Sequence, residues 1–119
     1  MKNKNVILIT VDALRADHLG YMGYQKQISP NIDLLAKESA IFTNAYATGP
    51  VTPHSFPGIL TSTYPFDCQG PRSMGKPRTL ISEVFKKNGF TTAAFHSNSY
   101  LSDFFGYNRG WDFFEDMTR

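Results

Sequence analysis

An α/β fold, a mostly parallel sheet with helices on both faces, is what this 119-residue sequence predicts, on three observations. The run Val6-Ile7-Leu8-Ile9-Thr10-Val11 is short, continuous and rich in β-branched residues, as a strand buried on both faces has to be. Two segments with helical spacing follow it, one opening at Ser29-Pro30 and one closing at Gly89. A second apolar run, Phe90 to Phe95, stands directly after the later helix, so strands and helices alternate along the chain.

Taken in order, Val6–Val11 reads as the first strand because a hairpin strand would alternate polar and apolar residues instead. Ser29 serves as N-cap and Pro30 as first residue of a helix, with Ile32, Leu35 and Ala36 on one face and Lys37 and Glu38 on the other. Residues 40–47 form a second extended segment. Thr52 to Pro57 holds two prolines and several cap residues, and a helix begins within Ser55 to Leu60. Pro65, Gly70, Pro71, Gly75 and Pro77 make residues 64–77 a loop. Thr79 caps a helix over residues 80–88, with Ile81, Val84 and Phe85 as its apolar stripe and Gly89 as its C′ residue. Residues 97–119 are aromatic and turn-rich without a clear period.

Composition narrows the function classes. Hydrophobic residues at 41% against 18% charged exclude a disordered chain, and the length suits a single domain over residues 1–119. A net charge of +2 gives no clustered basic face for nucleic acid or a membrane surface. The longest apolar run is far too short to span a bilayer, and Thr10 and Asp12 interrupt any signal core, so a soluble, cytoplasmic chain is expected. The single cysteine, Cys68, excludes an internal disulfide and reads as a structural thiol.

Two residues stand where chemistry is placed in such folds. Ligands bind outside the carboxyl ends of parallel strands, and Asp12 follows the first strand directly. Its carboxylate would suit a hard cation, or it caps the following turn. Thr52 lies in Gly49-Pro50-Val51-Thr52-Pro53-His54-Ser55-Phe56-Pro57, between a strand-like stretch and a helix. Beside a helix N-terminus, where free N–H groups favour an anionic ester, its hydroxyl could act as a metal-activated nucleophile, but from the residues alone the commoner role, Thr52 or Ser55 as a plain N-cap, is favoured. His18, His54 and His96 share no ligand spacing, His54 being closest to Thr52. Arg15 pairs with Asp17 or meets an anion, and Arg72, Lys76 and Arg78 read as a solvated loop face.

Read together, Val11-Asp12-Ala13-Leu14-Arg15-Ala16-Asp17-His18-Leu19-Gly20 and Ser29-Pro30-Asn31-Ile32-Asp33-Leu34-Leu35-Ala36 resemble the amino-terminal signature of the sulfatases, of the alkaline phosphatase superfamily. Phe42–Ala47, Thr52 through Thr61-Ser62-Thr63-Tyr64-Pro65, Gly89–Phe95 and Gly106–Phe114 continue the likeness in order over almost the whole chain. The resemblance implies an alkaline phosphatase-like sheet, incomplete here, as the amino-terminal part of a longer enzyme whose metal site is completed downstream by an Asp-His pair. Asp12 matches the aspartate that binds the divalent cation, which could be Ca²⁺, Mg²⁺, Mn²⁺ or Zn²⁺. Thr52 matches the nucleophile and a further metal contact. The family reads formylglycine from Cys/Ser-x-Pro-x-Arg, whereas this chain has Thr52-Pro53-His54-Ser55-Phe56, so the aldehyde is not expected. Ala13 stands where many sulfatases carry a second aspartate. The reading that results is a metal-dependent hydrolase of small-molecule sulfate, phosphate or phosphonate esters. A phosphoryl or phosphoethanolamine transferase is the alternative within the superfamily. A catalytically silent module that self-associates through an unfinished sheet edge is the alternative from another class.

Overall fold

A computed structural model describes residues 4–66, 74 and 78–118. The chain divides into two compact units, Met1–Ala45 and Tyr46–Arg119.

In the first unit the predicted strand does not form. Residues 4–11 join no ladder, and Ile7 is 84% exposed. Residues 40–47 likewise form turns and irregular backbone rather than a strand. The reason is physical. A strand apolar on both faces is stable only with ladder partners at its edges and cover on its faces, and the described residues supply neither. Helix α1, Pro30–Ala36, starts at proline as predicted, where the missing N–H has no intrahelical partner to lose. Ser29 precedes it, yet its hydroxyl does not cap. It accepts the Gly20 N–H at 3.0 Å and donates to the Asp33 carboxylate at 3.0 Å, while Asp33 also accepts the Tyr21 N–H at 2.9 Å. The side chain therefore ties α1 to the 3-10 turn Gly20–Met22. Ile32 and Leu35, predicted as a core face, are exposed.

The second unit holds the core. Helix α2, Thr52–Thr61, begins three residues earlier than predicted, with Pro53 in its first turn and a buried Pro57 further in. Helix α3, Ile81–Lys87, is preceded by Leu80 rather than Thr79 as its N-cap; Glu83 Oε2 accepts the Leu80 N–H at 2.8 Å and so meets one donor at the helix head. Gly89 ends the turn as predicted: its φ of +82° is left-handed, and Phe90 N–H donates to Phe85 O at 3.1 Å. Strand β1, Ala93–His96, then pairs in parallel with β2, Phe113–Asp116, Ala93 opposite Phe113 and His96 opposite Asp116. The class is α/β and the pairing parallel, as the sequence predicts, although the sheet has two strands among the described residues.

A clasp starts that ladder. Thr92 Oγ1 donates to Gly110 O at 2.8 Å, and Asp112 Oδ2 accepts the Thr92 N–H at 2.9 Å. Only glycine fits at 110, where φ is +76° and a Cβ would lie 2.5 Å from the Glu83 nitrogen. The core consists of Met74, Leu80 and Tyr107, with Phe56, Leu60, Leu101, Phe105 and Phe114 packed against it. Leu80 is thus a common floor under α2, β2 and the turns that follow β1. Burial raises the Tyr107 phenol to about 12, against the opposing pull of the Arg78 charge. No helix among the described residues is long and apolar enough to cross a membrane.

Candidate active site

Asp12 lies in the first unit, in the turn that follows the exposed apolar run. Its Oδ1 accepts the N–H of Ala13 at 3.0 Å, and Ala13 has a left-handed φ of +56°. A non-glycine residue held there carries strain, which persists in folded chains mostly where a turn must present a particular side chain. Asp12 is exposed and offers hard carboxylate oxygen, the right donor for a divalent cation. It fits as one ligand of such a site. The described residues contain no group of three or more His, Cys, Asp or Glu able to hold a metal ion, so Asp12 would be a contributor and not a complete shell.

Thr52 is the first residue of α2 and is part-buried. The local sequence makes that helix head unusual. Pro53 has no N–H, and the N–H groups of His54 and Ser55 are both donated to Val51 O, at 2.9 and 3.1 Å. The sequence reading expected free backbone N–H groups to receive an anion here. For His54 and Ser55 that expectation is corrected: the first turn spends their donors on its own cap residue. Thr52 Oγ1 instead receives a side-chain donor from far along the chain, Asn98 Nδ2 at 3.4 Å. Thr52 is not the N-cap, a position that falls to Val51, so its hydroxyl is not committed to capping.

Asn98 was absent from the residues the sequence singled out. It stands two residues beyond the carboxyl end of β1, in Ser97-Asn98-Ser99. The rule that selected Asp12, a polar residue just past an apolar strand, would have selected it too. It heads the 3-10 turn Ser99–Leu101, its Oδ1 accepting the Tyr100 N–H at 3.0 Å.

The other candidates divide by surroundings. His54 turns its ring to Phe66, edge-on with centroids 5.9 Å apart. His96 is buried against Phe114, centroids 5.0 Å apart, with Nδ1 3.9 Å from Asp116. His18 stacks on Tyr24 and lies 3.1 Å from Asp17. Arg15 forms the predicted pair with Asp17 at 2.6 Å, and its hydrogen bonds, with a smaller contribution from His18, hold that carboxyl well below the usual range. Arg78 corrects its prediction as a solvated side chain. It is 1% exposed and donates from Nη2 to Pro65 O at 2.5 Å, while Arg109 Nη2 donates to the Arg78 carbonyl at 2.8 Å. Burying the guanidinium makes it a strut between segments, since its desolvation demands such partners. Cys68, Arg72 and Lys76 lie outside the described residues.

Comparison with known proteins gives these positions a context. The family model described as Sulfatase matches residues 4–118. The chain is 36% identical over 93 residues to an ulvan-active sulfatase of Formosa agariphila, covering 75% of the chain and 18% of that protein. It is 34% identical over 120 residues to the iduronate 2-sulfatase of Mus musculus, covering 92% of the chain and 21% of that protein. An N-acetylgalactosamine-6-O-sulfatase of Bacteroides thetaiotaomicron is 42% identical over 62 residues, covering 52% of the chain and 12% of that protein. The chain thus spans about a fifth of the length of the first two relatives. No solved structure matches. Because the family match takes in both Asp12 and Thr52 and nearly all the sequence between the termini, the chain belongs to the sulfatase family.

Proposed function

We propose that the protein carrying this chain hydrolyses small-molecule sulfate esters, or phosphate or phosphonate esters, through a covalent intermediate on Thr52. The observation that supports this reading is the state of the Thr52 hydroxyl. It heads α2 without serving as the cap, and it already accepts a hydrogen bond from Asn98. In the first step Thr52 Oγ bonds to the sulfur or phosphorus, the bond from that atom to the ester oxygen breaks, and the alcohol leaves with a proton. Water then attacks the same atom, releases sulfate or phosphate, and returns the proton to Thr52. Asp12 would offer carboxylate oxygen to a divalent cation, and such a cation would supply Lewis acidity to the reaction. With threonine in place of the formylglycine precursor, the reading does not need an aldehyde.

Thr52→Ala and Asp12→Ala in the full-length protein test it. Turnover of p-nitrophenyl sulfate, p-nitrophenyl phosphate, bis-p-nitrophenyl phosphate and N-acetylgalactosamine 6-sulfate is compared with the unaltered enzyme. Each substitution lowers turnover of the preferred substrate by at least about 10³-fold, as loss of a nucleophile or of its activator does. Retention of most activity by Thr52→Ala overturns the proposal.

A further inference from the structure

We infer that Asn98 is the donor that stabilises the attacking oxygen of Thr52, touching it only loosely at rest and binding it tightly as it loses its proton. The inference rests on the reading of Thr52 as nucleophile. It goes beyond that reading by assigning a second residue, 46 positions away, to the reacting atom.

The orientation of the Asn98 amide follows from chemistry. Its Oδ1 accepts the Tyr100 N–H, and a backbone N–H can bond only to the oxygen end of an amide. The NH₂ end must therefore face Thr52. At 3.4 Å the contact is longer than an ordinary N–H···O bond, so it contributes little while the hydroxyl is neutral. An alkoxide at the same place makes the bond charge-assisted, and such bonds shorten to about 2.7–2.9 Å and roughly double in strength. An interaction that is weak in the ground state and strong at the transition state is the kind that raises turnover.

The rest of the neighbourhood makes this donor hard to replace. Pro53 offers no N–H, and those of His54 and Ser55 are committed to Val51 O. Thr52 is β-branched, so its hydroxyl has few directions to choose from. Asn98 is fixed as head of its own turn, and the packing of Leu101 and of Phe56 on one core anchors both partners.

The test uses Asn98→Ala and Asn98→Asp in the full-length protein, beside Thr52→Ala, with kcat and KM for the preferred p-nitrophenyl ester measured separately. Asn98→Asp keeps the size of the side chain and the oxygen that accepts from Tyr100 but sets a negative charge in place of the donor, whereas Asn98→Ala removes the donor without adding a charge. Both variants lower kcat by about 10²-fold, with KM unchanged in Asn98→Ala and melting temperature unchanged in Asn98→Asp. A wild-type kcat in Asn98→Ala, with Thr52→Ala inactive, overturns the inference and leaves the nucleophile standing. A lowered melting temperature with kcat unmoved also overturns it, making Asn98 only the head of a turn. Activity retained in Thr52→Ala removes both readings together.

Discussion

Replacing Leu80 by alanine tests whether the small core carries the second unit. Leu80 is fully buried, lies beside Met74 and Tyr107, and the ring of Phe56, Leu60, Leu101, Phe105 and Phe114 closes around them. Removing a buried leucine side chain to its Cβ costs about 2–5 kcal/mol, the spread reflecting how far the site can collapse. Here the neighbours come from α2, from the turn Ser99–Leu101 and from β2, elements pinned by their own hydrogen bonds, so collapse is limited. A cost of about 3 kcal/mol follows. With a urea slope of about 1.5 kcal/mol/M for a chain of this size, the unfolding midpoint falls by about 2 M. Trp111 is the only tryptophan and donates from Nε1 to the Tyr107 carbonyl at 3.0 Å, so its fluorescence reports this core directly. Leu80→Met keeps the volume and should cost under about 1.5 kcal/mol. If Leu80→Ala shifts the midpoint by less than about 0.5 M while Leu80→Met behaves the same way, the cluster is not what holds these elements together.

Two further outcomes concern the chain's charges and its strained turn. Asp112 is brought down to about 2 by its bond to Lys86, whose Nζ lies 2.7 Å away, and then by the N–H and hydroxyl of Thr92. A carboxyl lowered in the folded state contributes stability that is present above its ordinary pKa and is lost as pH falls from about 4 toward 2. Acid unfolding should therefore steepen in that window, and Asp112→Asn should flatten it, as followed by circular dichroism. At the other site Ala13 sits at φ +56°, where a β-branched side chain is a steric outlier. Ala13→Val should lose about 1–3 kcal/mol in thermal melts and Ala13→Gly should not; equal effects would mean the turn relaxes freely.

Much of the second unit was legible from short-range physics. The end of α3 is the clearest case, because a left-handed closing residue must be glycine, and Gly89 supplies it. In the first unit Pro30 likewise marks the start of α1, since proline is at home only where its absent N–H has no intrahelical partner to lose. The parallel pairing was foreseen, but β2 was not. Phe113-Phe114-Glu115-Asp116 has neither alternation nor a continuous apolar run, and it is a strand because the Thr92–Asp112 clasp and Gly110 set it beside β1. Those are contacts across about twenty residues, which no local pattern contains.

The candidate site divides along the same line. Asp12 and Thr52 could be singled out because residue types mark the end of an apolar run before the one and the start of a helix at the other. Asn98 could not be joined to Thr52 from sequence, since their contact depends on how α2 and the carboxyl end of β1 pack over Leu80. The run Val6–Val11 shows the converse. Its composition describes a buried strand correctly as chemistry, yet burial is a property of neighbours, and the described residues hold none for it. An apolar run of this kind therefore states what it needs and not what it has. The same holds for Asp12, a carboxylate on a strained turn, whose use as a metal ligand would depend on donors converging on it from elsewhere. Thr52 differs from both in that its donor is already in place.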